Sequence, residues 1–262
     1  MGPRAIAELT FPEVSRRLGP ASILCLPMGA IEQHGAHLPL NTDVVVAEGV
    51  TRALIERWGE RFDLWVLPTL SIGLSREHDW APGTLSLSVA TFAALFKEMA
   101  REIVRALPAR NLVIVSGHGG NRGILENLLQ ELRGDLALNA CVIHPFDLAK
   151  PKPDAAIGDV HGGAGETSVM LALAPDLVRR DLIASTEAPP PAEDVAALIY
   201  DRSVTWPWRT DDPRLARNGI IGDPAAASPE RGRAMIETML TEAAGVLTRL
   251  LENQALMGKA GR

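Results

Sequence analysis

Short apolar runs alternate along this chain with longer stretches whose apolar positions recur every three or four residues. The runs over 22–28, 64–67, 112–115 and 137–143 read as buried strands. Helical periodicity covers 44–58, with Asn41 or Thr42 as cap and Asp43 in the first turn. A strongly amphipathic helix carries Val89, Phe92, Leu95, Phe96, Met99, Ile103, Val104 and Leu107. Another is capped by Asn121 and runs through Leu132, and a fourth spans about 166–173. The last helix sets Met235, Ile236, Met239, Leu240, Val246, Leu247, Leu250 and Leu251 on one side. Between them lie a Ser/Gly/Pro-rich loop over 71–86, a Pro/Ala linker over 185–194 and an irregular stretch over 205–223, with a frayed tail from about 257. Strands alternating with helices predict an α/β fold: a single three-layer domain over 1–262, its mostly parallel central sheet flanked by helices on both faces. No internal repeat marks a second domain.

Sites in such sheets form at the carboxyl ends of the strands, and polar clusters stand there. One is Glu32-Gln33-His34-Gly35-Ala36-His37 with Asn41-Thr42-Asp43; the second is Ser116-Gly117-His118-Gly119-Gly120-Asn121. A third, Asp159-Val160-His161-Gly162-Gly163-Ala164-Gly165-Glu166-Thr167, opens the helix over 166–173. Taken singly these residues mean little. A lone histidine after a strand is more often a hydrogen-bonded loop residue than a ligand. Asp43 alone fits a carboxylate in a helix's first turn. The turn over 116–121 alone fits a phosphate cradle, and so a non-catalytic nucleotide- or sugar-phosphate-binding protein. That turn lacks a P-loop lysine, however, and misses the dinucleotide glycine spacing.

Together the clusters fit a divalent metal site, because imidazole nitrogens and carboxylate oxygens sit on glycine-rich backbone. Glu32 and His34, two apart on extended backbone, point the same way. A carboxylate between two cations bridges them, and metals roughly 3.5–4 Å apart would polarise a carbonyl and activate water. Thiolates are missing from all three clusters. The site therefore reads as open to substrate rather than as a structural zinc knot.

Composition narrows the partners. The 262 residues are 47% hydrophobic, 22% charged and only 4% aromatic, so the core rests on Leu, Val, Ile and Ala. A net charge of −6 speaks against nucleic acid or an anionic membrane. No apolar run is long enough to span a bilayer, and the amino terminus lacks a signal-peptide apolar region. Cys25 and Cys141 lie in strand-like runs and read as buried free thiols. The cytoplasm is the expected compartment.

The segment 26–43, with Ser116-Gly-His-Gly-Gly-Asn121, His161-Gly-Gly-Ala-Gly-Glu-Thr-Ser168 and Gly222-Asp-Pro224, resembles the creatininase (creatinine amidohydrolase) family, in order from about Ala21 to the last helix. The resemblance implies a dinuclear Zn/Mn-type hydrolase, with Fe also possible at one site, assembled as a hexamer and acting on a small molecule. Glu32, Asp43 and His118 would hold one metal; His34 and the shared Asp43 would hold the other. Creatininase itself carries a metal-binding Glu two residues after the second-cluster histidine, where this chain has Gly120, so Glu166 is assigned to the second metal. A general base is the competing role for Glu166. His161 matches a substrate-side histidine and would donate a proton to the leaving nitrogen; the competing role is a hydrogen-bonder behind the site.

The tryptophan that precedes that histidine in creatininase is also missing, and residues 156–160 stand in its place. Both departures argue against creatinine itself as substrate. The loop Ser75-Arg76-Glu77-His78 resembles a Ser-x-Glu-His form found in other members, implying that Ser75, Glu77 and His78 meet substrate at the pocket mouth, with Gly119 also substrate-facing. A purely structural loop fits equally. Trp206-Pro-Trp208-Arg209 reads as an aromatic wall with a cation, or as interface packing. The implied reaction is hydrolysis of a small cyclic or linear amide. Deformylase, peptidase, lactone and C–C hydrolase activities are the alternatives.

Overall fold

Every position of β1 (Ile23–Met28) and β3 (Asn111–Ser116) is buried, as a continuous apolar run requires when helices cover both faces of a sheet. These strands belong to a computed structural model that describes residues 4–149, 159–183, 192–201, 203–216 and 218–260. With β2 (Leu64–Val66) and β4 (Asn139–Ile143) they form one parallel sheet in the order β2-β1-β3-β4. The register sets Ile23 beside Asn111 and Met28 beside Ser116, so the two central strands end level.

Before the sheet, α1 (Phe11–Arg17) opens on a Thr10–Glu13 capping box. Three connections then carry α2 (Thr42–Trp58), α3 (Val89–Ala106) and α4 (Arg122–Leu136). After β4 come α5 (Pro145–Ala149), α6 (Ala164–Leu173), α7 (Arg180–Ile183), α8 (Ala192–Val195) with a π-helical turn through Tyr200, and the long α9 (Pro229–Ala260).

The pleat sorts the core into two layers. Ile23, Cys25, Val113 and Val115 point toward α2, α6 and α9, where they meet Val46, Val50, Val169, Met239 and Leu247. Leu24, Leu26, Met28, Leu112 and Ile114 point the other way, toward Phe92, Phe96, Leu125 and Leu128 of α3 and α4. The chain therefore leaves β1 toward one face and β3 toward the other. Adjacent strands whose connections diverge in this way leave a crevice at their carboxyl ends.

Several boundaries depart from the sequence reading. The strand expected over 137–143 starts at Asn139, because α4 continues to Leu136 and Ala137 leaves it at φ 50° in the left-handed region. Asn121 holds the N-cap position of α4 without a capping bond; its Oδ1 instead accepts from the Leu74 N–H at 3.0 Å and pins the 71–86 loop beside β3. Val89 and Leu95 stay 59% and 38% exposed, so the buried stripe of α3 is narrower than its apolar content. In the expected linker over 185–194, residues 185–191 lie outside the described residues and 192–194 are helical. The expected fray from 257 is helix to Ala260, as the unbroken helix-forming run Leu251-Glu-Asn-Gln-Ala-Leu-Met257 favours.

Candidate metal centre

The crevice fills with residues from both central strands. After β1 the chain doubles back: Glu32 N–H donates to Leu40 O at 2.9 Å, and α2 starts two residues later. That start is pressed against the sheet. A Cβ on Gly29 would stand 2.7 Å from Val44 N, and one on Gly117 would collide with Asp43 O, so only glycine admits the first turn of α2 here. Glu32, His34, Asp43 and His118 are consequently brought together, all 4% exposed or less. His161 and Glu166 arrive from the start of α6. The strip Val160–His161 is held by an antiparallel bridge to Ile221, which is where the 222–224 motif packs.

Asp43 stands at the middle. Its Oδ1 lies 3.1 Å from His34 Nε2 and its Oδ2 3.0 Å from His118 Nδ1. Glu32 Oε1 lies 3.3 Å from His118 Nδ1, 3.4 Å from His78 Nε2 and 3.7 Å from His161 Nδ1. Glu166 Oε2 is 3.8 Å from His34 Nε2 and also accepts from Gly162 N–H at 2.6 Å, closing the first turn of α6.

The outward nitrogens decide what the inward ones present. His34 Nδ1 donates to Glu32 O at 3.1 Å, His118 Nε2 to Leu74 O at 2.6 Å and His161 Nε2 to Gln33 O at 2.6 Å. Each neutral ring then aims a lone pair at carboxylate oxygens. Buried lone pair facing lone pair is tolerable only with a cation between them. Glu32 Oε2 and Asp43 Oδ2 are buried, and with the His118 Nδ1 lone pair turned toward Asp43 Oδ2 neither oxygen has a hydrogen-bond donor, so both fit a divalent cation as partner. Among the described residues three donor groups have mutually close ligand atoms: Glu32/His34/His161, Glu32/Glu77/His118 and His34/Asp43/Glu166. The donor set, imidazole and carboxylate without thiolate, suits Zn or Mn.

In the metal-free chain protons take that role. Burial pushes the His34 imidazolium down, but Asp43, Glu166 and Glu32 together overturn this and hold it up at about 10. His118 is raised likewise, burial opposing and Glu32 with Asp43 prevailing. For Asp43, burial pushes upward and the two imidazolium neighbours win, leaving the carboxyl well below its usual range. Burial raises Glu166 to about 7, with His34 opposing. His161 goes the other way: burial, then His78 and His34, hold its imidazolium well below the ordinary range.

Behind these groups runs a polar net that the sequence reading missed. Gln33 Nε2 lies 3.0 Å from His78 Nδ1, 3.2 Å from His161 Nε2 and 2.8 Å from Gly219 O. Thr210 Oγ1 donates to Glu77 O at 3.1 Å and lies 2.8 Å from His78 Nδ1. Neither partner is near in sequence, so no local pattern signals the pairing. The 206–209 segment divides: Trp206 is 52% exposed, Trp208 packs on Leu215 and Ile221, and Arg209 pairs with Asp79 and Asp211.

The expected pocket-mouth residues are placed differently. Ser75 and His78 are 0% and 2% exposed, next to the Leu74 N–H that Asn121 Oδ1 holds at 3.0 Å. Glu77 turns toward the carboxylate–imidazole cluster, its Oε1 3.7 Å from His118 Nε2. Gly119 does face open space, on the wall of a cavity of about 420 Å³. That cavity reaches His118 and Glu166 and is bounded by Phe146, Tyr200 and Met235.

Comparison with known proteins places the geometry in context. The model of the Creatininase family (creatinine amidohydrolase) matches residues 7–247. The chain is 34% identical over 253 residues to creatinine amidohydrolase of Pseudomonas putida, covering 88% of this chain and 91% of that one. It is 32% identical over 234 residues to the mycofactocin precursor peptide peptidase of Mycobacterium ulcerans, covering 86% and 84%. A manganese creatininase structure superposes with a TM-score of 0.72 at 29% identity, covering 95% of this chain and 98% of that one.

Proposed function

Because this chain belongs to the creatininase family of hydrolases, we propose that its buried cluster holds two divalent metals and hydrolyses the C–N bond of an amide. The observation that supports this most directly is Asp43, whose two oxygens address two different imidazoles at 3.1 and 3.0 Å. Glu32, Asp43 and His118 would hold one ion, and His34, Asp43 and Glu166 the other. Bound there, the ions would supply Lewis acidity toward a carbonyl and lower the pKa of water.

The chain's own residues supply the rest. Asp43 fixes both ligand imidazoles at once. Burial beside His78 and His34 keeps His161 neutral at rest, and its Nε2 proton is committed to Gln33 O. A proton gained during reaction therefore goes to Nδ1, on the cluster side, and leaves from there to the departing nitrogen.

A peptide-like substrate is favoured over a bare small ring. The cavity of about 420 Å³ sits within the range of ligand pockets, and Phe146, Tyr200 and Met235 give it more apolar wall than a small ring would use. The likeness to a precursor-peptide peptidase supports the same choice. The test is a panel of creatinine, N-formyl amines and short peptides, with Mn²⁺ or Zn²⁺ supplied and new amino groups quantified. A linear amide is expected to turn over, and His161→Asn to lower kcat about 10²–10⁴-fold. A fully metal-loaded protein that cleaves nothing on the panel refutes the reading.

A further inference from the structure

The centre contains one carboxylate more than the assignment above uses. Glu77 lies on the short 3-10 turn Arg76–His78, yet its side chain is only 17% exposed and turns inward. Its Oε1 stands 3.7 Å from His118 Nε2, a nitrogen whose proton is already given to Leu74 O at 2.6 Å. One ligand atom from each of Glu32, Glu77 and His118 lies within 4.8 Å of the other two. A structural carboxylate in such a place would need a cationic side chain, and among the described residues His118 is its one ion-pair neighbour.

Gly120 explains how it gets there. A Cβ at position 120 would fall 2.6 Å from Glu77 Oε1 and 2.5 Å from His118 Nε2, and would also collide with Leu74 O. Any side chain on residue 120 thus competes with the Glu77 carboxylate for one volume. Glycine leaves that volume to Glu77.

We propose that Glu77 is a metal ligand, completing the site of Glu32, Asp43 and His118 through the space that Gly120 leaves free. The inference rests on the metal-centre reading above. It gives the two sites unequal protein shells: Glu32, Asp43, Glu77 and His118 against His34, Asp43 and Glu166. The first, with three carboxylates and one imidazole, has the harder donor set and favours Mn²⁺ over softer ions.

The experiment is metal content per chain by mass spectrometry, with a competing chelator setting free Mn²⁺, for the wild type, Glu77→Gln and Gly120→Ala. Glu77→Gln is nearly isosteric, and its metal-free melting curve verifies folding. The expected result is that Glu77→Gln weakens one equivalent by at least about 10–100-fold and leaves the other unchanged. Gly120→Ala, which crowds Glu77 outward, is expected to weaken the same equivalent. Wild-type affinity for every bound ion in Glu77→Gln overturns the proposal, and Glu77 is then a substrate-side or structural group. The dinuclear reading fails separately: a wild type that holds a single ion contradicts it, while loss of that ion in Glu77→Gln still upholds Glu77 as ligand. A wild type that holds none overturns both.

Discussion

Stripping the protein with EDTA and melting it with and without added metal probes the centre as a whole. Asp43 is 2% exposed and its two oxygens face His34 and His118 at 3.1 and 3.0 Å, so the unfolded chain has no equivalent site. An ion that binds only the folded state adds about 2.7 kcal/mol at a hundred times its Kd, or about 5.4 kcal/mol for two. Unfolding entropy of about 2.1 cal/mol/K per residue gives roughly 0.55 kcal/mol/K for 262 residues. The two ions together should therefore raise Tm by about 10 °C. Circular dichroism melts at fixed free metal read this directly. Asp43→Asn is the matched perturbation: its amide offers N–H to one imidazole, removes the bridging charge and should abolish most of the shift. An unchanged melting point on chelation, or a full shift retained by Asp43→Asn, refutes the ligand assignment.

Two further outcomes follow from groups outside the carboxylate–imidazole cluster. Burial, reinforced by His34, holds the His37 imidazole at about 4 against an ordinary 6.5. The unfolded chain thus gains a proton that the native chain refuses between those values, and stability falls as pH drops through that window, by about 3 kcal/mol in all. His37→Gln, which can still bond Thr167 Oγ1, should flatten that decline in urea midpoints measured from pH 7 to 4; an identical slope contradicts it. Burial, with Cys141 adding, pushes Cys25 up to about 12, and burial pushes Cys141 to about 11. Neither thiol should react with a disulfide reagent at pH 8 until denaturant is added, and a rapidly labelled native thiol would show the strands to be more open than described.

Much of this architecture was legible in the chain, for identifiable reasons. Strands buried on both faces read as unbroken apolar runs, so β1 and β3 were visible within a residue of their ends. The order β2-β1-β3-β4 was not, since periodicity carries no information about which strands are neighbours. Glu32, His34, Asp43, His118, His161 and Glu166 stood out because imidazoles and carboxylates among glycines at strand ends are hard to explain as core. Gln33 and Thr210 did not, because an ordinary amide and hydroxyl acquire meaning only through a contact 177 residues away. Asn121 illustrates the limit of local rules: it sits where a cap belongs, but a backbone N–H from a distant loop competes for its oxygen and wins. Asp159, part of the third cluster, accepts from Gly165 N–H at 2.9 Å and so steadies the turn that presents Glu166.

The three imidazoles aimed by Glu32 O, Leu74 O and Gln33 O have a consequence for how this protein can vary. A carbonyl oxygen belongs to the peptide unit and is specified by no codon. Replacement of residues 32, 33 or 74 changes what the side chain does, yet each acceptor stays where the backbone puts it. Ring orientation here is insulated from single-base change and sensitive to insertion or deletion between β1 and α2 or between β2 and α3, which would move the carbonyls themselves. Divergence can therefore rework the cavity wall around Phe146 and Tyr200 freely while the same nitrogens keep facing inward.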